Sequence, residues 1–241
     1  MTRGRRRVAV YGGTFDPVHV GHAAVARGLL ELFGLDEVLF VPASVAPHKR
    51  GRKVSPAFDR YAMLALATED EREFRVSTAE LSAPEKPYTV ETLTRFRETL
   101  GETARLFFVM GADSWEEITT WREWERVLAL TDHLVVTRPG YELPVGHVTG
   151  AVRERIVDVR GASRGRVEDE LKKDGGPRVY LTDAAKIKVA ATDVRAAVAR
   201  GDWQALNGLV LPAVAEYIKK YGLYSETDGT EFSDAGIKGK N

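Results

Sequence analysis

The sequence predicts an α/β protein built on an open, mostly parallel sheet with helices on both faces. Short apolar runs, such as Val8 to Tyr11 and Arg105 to Met110, alternate along the chain with longer stretches of helical apolar spacing. That is the pattern of strands joined by crossover helices. The clearest runs end in glycine or proline, just before a helix start. The 241 residues, 44% hydrophobic and 29% charged, have an ordinary globular composition and suffice for one large α/β domain or two small ones.

The first run, Val8-Ala9-Val10-Tyr11, reads as a strand buried on both faces, and Gly12-Gly13 breaks it. Glycines there let a ligand approach the backbone with no Cβ in the way. Thr14-Phe15-Asp16-Pro17 leads to His19-Val20-Gly21-His22, then to a helix over Ala23 to Phe33. Unpaired amides at such a helix start form a phosphate cradle, and two imidazoles three positions apart add donors at the same place. A zinc site on His-x-x-His would need a third ligand, and the chain has no cysteine and five histidines.

Leu35 to Val41 is expected as strand two, ended by Pro42. The loop Pro42 to Gly51 has a basic tip, His48-Lys49-Arg50. Ser55 as N-cap and Pro56 at the first position open a helix over Ala57 to Glu69. Phe74 to Leu81 reads as strand three, and Pro87-Tyr88-Thr89 opens a helix to Leu100. Arg105 to Met110 is a continuous, buried strand ending in Gly111-Ala112-Asp113. Trp115, Trp121 and Trp124 follow, with Trp124 expected in the core. Thr131 to Thr137 is strand five, before Arg138-Pro139-Gly140-Tyr141. In residues 142–185 a helix (147–155), a strand (156–159), a helix (167–173) and a strand (178–182) are expected as an elaboration away from the chemistry. Thr192 is placed as N-cap of a helix Asp193 to Arg200, whose first amides and Arg195 make a second anion site. Trp203 to Leu209 and Pro212 to Tyr221 complete a small C-terminal helical part. Residues 225–241 are polar and Gly-rich, expected as a disordered tail after a single domain over 1–224.

Lys+Arg equals Asp+Glu at 35 each, which gives no reason to invoke nucleic acid or an anionic membrane. Arg3, Arg5, Arg6 and Arg7 read as a solvated arm. No apolar run approaches the ~18 residues of a membrane span, the N-terminus does not read as a signal peptide, and without cysteine the expected compartment is the cytoplasm. Gly12, Tyr88, Gly111 and Thr192 all fall at strand-to-helix junctions, so they are expected at one crevice along the carboxyl ends of the strands. Nothing in the sequence sets the oligomeric state.

The string GGTFDPVHVGH resembles the nucleotidyltransferase superfamily, and in particular the bacterial nicotinate mononucleotide adenylyltransferases. The resemblance covers residues 8–141 and 186–224. It implies a Rossmann-like HxGH nucleotidyltransferase fold and adenylyl transfer from ATP to nicotinate mononucleotide. His19, His22 and Arg195 would be the catalytic residues. Gly12, Gly13, Thr14, Phe15, His19, His22, Lys49, Thr192 and Arg195 would bind ATP. Tyr88, Thr89, Asp113, Trp121, Arg122 and Arg138 would bind the mononucleotide, with the pyridine on Trp121 and its substituent facing backbone N–H groups at Trp121-Arg122 and near Tyr88-Thr89. Mg²⁺ would accompany ATP, bridged by phosphates rather than by protein ligands. The family pattern Ile-Ser-Ser/Ala-Thr-x-x-Arg has a serine where this chain has Ala190. A different acceptor (nicotinamide mononucleotide, pantetheine phosphate or a cytidylyl substrate), or a non-catalytic ATP-binding module, stays open as an alternative.

Overall fold

The computed structural model describes residues 5–44, 54–83, 87–138, 140–184 and 189–225. Seven strands form one parallel sheet in the order β3-β2-β1-β4-β5-β7-β6: β1 (Arg6–Gly13), β2 (Glu37–Pro42), β3 (Phe74–Val76), β4 (Ala104–Gly111), β5 (Asp132–Val136), β6 (Ile156–Asp158) and β7 (Val179–Thr182). Ladder pairing sets Tyr11 opposite Phe40 on one side and Val109 on the other. Strand three is shorter than its apolar pattern suggests, because only Phe74 to Val76 find a partner, on β2.

The strand residues alternate between two cores, which is why their apolar runs are continuous. Ala9, Phe107 and Val109 face one core with α1 (Val20–Phe33), α2 (Ala57–Thr68), α7 (Arg164–Leu171), α8 (Ala191–Ala199) and α9 (Pro212–Tyr221). Val8, Val10, Phe108 and Met110 face the other with α3 (Thr89–Leu100), α4 (Ala112–Glu116), α5 (Trp124–Leu130) and α6 (Gly150–Arg153). Side-chain period two on a sheet covered by helices on both faces requires this arrangement.

Residues 142–185 supply β6 and β7. Strand β7 is buried between β5 and β6, and Arg7 of β1 bonds both Glu168 oxygens of α7, at 2.6 and 2.8 Å. The stretch is therefore woven into the sheet. Gly28 in mid-α1 is needed for its exit: a Cβ there would stand 2.2 Å from the Ala184 carbonyl oxygen. The expected helix over Trp203 to Leu209 is instead a series of turns, with Gly208 at φ +88 breaking the helical path. Lys49, His48 and the tail beyond Ser225 lie outside the described residues.

Candidate active site

Because every strand is parallel, all carboxyl ends meet one edge of the sheet. The order reverses between β1 and β4, so Gly12-Gly13 and Gly111 flank the switch point where such sheets open a crevice. Helix α1 starts here three residues earlier than its sequence pattern, with His19 as N-cap and His22 as the third helical residue. Gly21 hid this start, since glycine is a poor helix former. Its role is steric: a Cβ at Gly21 would lie 3.0 Å from the His19 ring and 3.4 Å from the Val189 carbonyl oxygen.

The His19 and His22 rings stack with centroids 3.7 Å apart. The His19 amide donates to His22 Nδ1 at 3.2 Å. A neutral His22 must then carry its proton on Nε2, which makes Nε2 a donor. Burial pushes the His19 pKa down to about 4, against the opposing pull of Asp193, and His19 Nδ1 has no hydrogen-bond partner among the described residues. His19 is therefore neutral at pH 7 in the free protein. Phe15, at φ +50, lays its ring against Gly13, where a Cβ would meet it at 2.9 Å, and edge-on to His22 at 5.0 Å.

Helix α8 brings the second anion element to the same place. Arg195 donates to the Asp16 carbonyl at 2.6 Å. Thr192 is not its N-cap: the helix begins at Ala191, and Ala190 holds the cap position. Asp193, the third helical residue, accepts from the Ala190 amide at 2.9 Å, so the reaching-back half of a capping box is present and the capping hydroxyl is missing. Ala190→Ser should therefore raise stability by about 0.5–2 kcal/mol. Thermal or urea unfolding of the ligand-free protein checks this, and an unchanged or lowered midpoint refutes it. At α2 the cap likewise shifts by one residue, to Pro56.

A single ring joins this half of the crevice to the other. Phe108 of β4 lies 3.3 Å from where a Gly12 Cβ would be, and meets Trp121 edge-on at 6.3 Å. Trp121 is half-buried, and its Nε1 is a buried donor without a partner among the described residues. Trp124 is half-buried too; the fully buried indole is Trp115, bonded to the Pro144 carbonyl at 2.9 Å. The Arg122 guanidinium lies 4.7 Å over the exposed Tyr88 ring, beside Thr89 at the start of α3. The Trp121 amide is not available to a substituent, because it donates to the Ile118 carbonyl at 3.0 Å. Arg122 also shares its charge with Glu91 and Glu123, at 3.7 and 3.9 Å. Asp113 is exposed on the first turn of α4, and Arg138 is exposed just past β5. Tyr141, whose hydroxyl donates to Glu116, draws the Arg138 turn toward α4.

Sequence reasoning missed Arg60. It is 2% exposed and donates to three carbonyls: Ser55 at 3.0 Å, and Thr14 and Ala43 at 2.7 Å each. The signal was present, because Arg60 shares the stripe of Met63, Leu64 and Ala67, at core spacing. Asp16 is buried as well. It is 1% exposed, and its carboxylate accepts from the Tyr224 hydroxyl at 2.8 Å and the Ser55 amide at 3.3 Å. A cavity of about 490 Å³ lies at the opposite edge of the sheet, where Arg97 and Arg105 donate to the helix-end carbonyls of Leu130 and Leu171. Those cations complement helix C-termini and stand apart from the crevice.

The cytidylyltransferase-like family model matches residues 10–197 of this chain. Three relatives carry the name probable nicotinate-nucleotide adenylyltransferase. That of Corynebacterium jeikeium is 37% identical over 220 residues, covering 90% of this chain and 100% of the relative. That of Symbiobacterium thermophilum is 38% identical over 218 residues, covering 90% and 95%. That of Mycolicibacterium vanbaalenii is 35% identical over 230 residues, covering 94% and 96%. The same fold occurs in the Plasmodium falciparum nicotinic acid mononucleotide adenylyltransferase complexed with NaAD, with a TM-score of 0.65 at 18% identity over 91% of this chain and 97% of that one.

Proposed function

We infer the chemistry from one premise: the chain belongs to the cytidylyltransferase-like family and, within it, to the nicotinate-nucleotide adenylyltransferases. It transfers the adenylyl group of ATP to nicotinate mononucleotide, giving nicotinate adenine dinucleotide and pyrophosphate in NAD biosynthesis. An oxygen of the mononucleotide phosphate attacks the α-phosphorus, and the bond from that phosphorus to the α,β-bridging oxygen breaks, releasing pyrophosphate. A phosphate dianion is an adequate nucleophile, so the protein's task is in-line placement and charge neutralisation.

The observation that carries our assignment of residues is the meeting of α1 and α8. Phe15 meets the His22 ring at 5.0 Å, Asp193 of α8 acts on the charge of His19, and Arg195 holds the carbonyl of Asp16 in the loop that carries Gly12, Gly13, Thr14 and Phe15. In this reading His22 Nε2–H and Arg195 hold the triphosphate and the departing pyrophosphate. His19 adds a neutral donor, and Thr192 lies on the facing helical turn. Lys49 would add a charge from the basic loop. Mg²⁺ would enter with ATP and would supply charge neutralisation at the phosphates, and no side chain is assigned to hold it. Asp16 is not assigned as a ligand, because its carboxylate is buried with Tyr224 and Ser55. Residues 1–224 act as one domain, and no described helix is long and apolar enough to cross a membrane. We keep the cytoplasm as its compartment.

The mononucleotide would sit across Phe108 toward Tyr88, Thr89, Trp121, Arg122, Asp113 and Arg138. The donors left for the pyridine substituent are the Arg122 guanidinium and amide and the Trp121 indole N–H. A carboxylate accepts at both oxygens, whereas an amide must also place two N–H donors against that set. A site built for one hydrogen-bond pattern rejects the other strongly, so kcat/KM for nicotinate mononucleotide should exceed that for nicotinamide mononucleotide by at least ~100-fold. The two ratios, taken with saturating Mg-ATP at one pH, test this. Equal ratios would remove the donor-only pocket, and a preference for the amide would reverse the choice of acceptor. Pyrophosphate release that stayed at background with both substrates present would support the binding-module alternative.

A further inference from the structure

Tyr224 follows α9 in a backbone conformation that its side chain disfavours. Its φ is +64, two residues after Gly222 at φ +63 has already ended the helix. The left-handed region suits glycine and costs an aromatic residue free energy, so something must hold Tyr224 there. Its hydroxyl provides the anchor: it donates to Asp16 Oδ1 at 2.8 Å, and the Ser55 side chain bonds to the same hydroxyl. Burial and the neighbouring Asp16 carboxylate both push its pKa up, which keeps the hydroxyl a donor at every working pH. Asp16, in turn, presents its carbonyl to Arg195 at 2.6 Å. Three residues far apart in sequence thus form one line, from the end of α9 through the loop between β1 and α1 to the guanidinium on α8.

We propose that Tyr224 is a positioning residue for adenylyl transfer: by fixing Asp16 it fixes the carbonyl that aims Arg195 at the triphosphate. This rests on the reading of Arg195 as an ATP-phosphate residue. Thr14 and Asp16 belong to the same loop, and Arg60 already holds the Thr14 carbonyl from behind. Without the Tyr224 hydroxyl the loop keeps that clamp and the 3.3 Å bond from the Ser55 amide, but loses the shorter bond at Asp16, 2.8 Å long. The defect should therefore be local and specific to ATP.

Tyr224→Phe removes one oxygen and retains the ring. It should lower kcat/KM for Mg-ATP about tenfold, the scale of one hydrogen bond to a charged group, while KM for nicotinate mononucleotide stays within about twofold. Arg195→Ala should lower ATP use on its own, and adding Tyr224→Phe to it should cost nothing further, because a residue acting through another is silent once that partner is gone. Unchanged kinetics in Tyr224→Phe, equal shifts for both substrates, a lowered melting temperature without a kinetic effect, or additive losses in the double variant would each overturn the proposal. If Arg195→Ala by itself leaves ATP use intact, the assignment of Arg195 has failed rather than the coupling between the two residues.

Discussion

His22→Ala should lower kcat by about 10²–10³, with a smaller change in KM. The expectation follows from the tautomer. Because the His19 amide donates to His22 Nδ1, the His22 proton sits on Nε2, where it can meet charge that grows on the leaving pyrophosphate. A donor fixed before the reaction and aimed at developing charge has an effect of this size in other acyl- and phosphoryl-transfer sites. His22 is also the third residue of α1, so alanine removes an acceptor from the helix start as well. His22→Asn separates the two losses. Its side-chain oxygen can accept from the His19 amide, which restores the helix start, but it does not reproduce the Nε2 donor. The pair should differ in melting temperature and share the kinetic defect. If His22→Asn recovered most of kcat, the ring would be a structural cap and not a phosphate donor.

Arg60→Met should lower stability by about 3–5 kcal/mol, the cost of breaking a buried charged network from one side. Methionine fills much of the volume but leaves the Thr14, Ala43 and Ser55 carbonyls without their donor, and it leaves Asp16 and Glu80 without the cation that offsets their burial. Burial alone pulls the Arg60 pKa down, and those two carboxylates and Tyr224 pull it back. Glu80 shows the converse: its pKa is raised by burial and held down in part by Thr92, Ser44 and Arg60. Arg60→Lys keeps the charge but cannot span three carbonyls in a fork, so it should recover only part of the loss. Urea unfolding of the three proteins provides the measurement. A change within about 1 kcal/mol for Arg60→Met would mean that water satisfies the three carbonyls and that Arg60 holds nothing in place.

The two halves of the crevice were legible to different depths. Gly12, Gly13, His19 and His22 could be placed from the chain alone because each statement concerned neighbours: an apolar run, a glycine break, two rings one helical turn apart. The Ala190 gap was visible for the same reason, although its meaning was not, since the cap lies two residues before the expected one. At Trp121 the expected backbone donor was wrong, because its amide is taken by a 3-10 turn that no apolar pattern announces.

The sequence by itself determined most of the backbone segments that become strands and helices, that the strands are buried on both faces, and that the glycine- and histidine-bearing turns fall at strand ends. Apolar periodicity and glycine or proline breaks act over a few residues, so a linear reading can find them. Only the tertiary structure decided that Arg60 clamps Thr14, that Tyr224 grips Asp16 and that Asp16 holds Arg195, across separations of 46, 208 and 179 residues. Those bonds are chosen by what the packed helices bring within 3 Å of a buried carbonyl or carboxylate that water can no longer reach. No local preference of arginine, tyrosine or aspartate encodes that choice, and the shape of the active site follows from it.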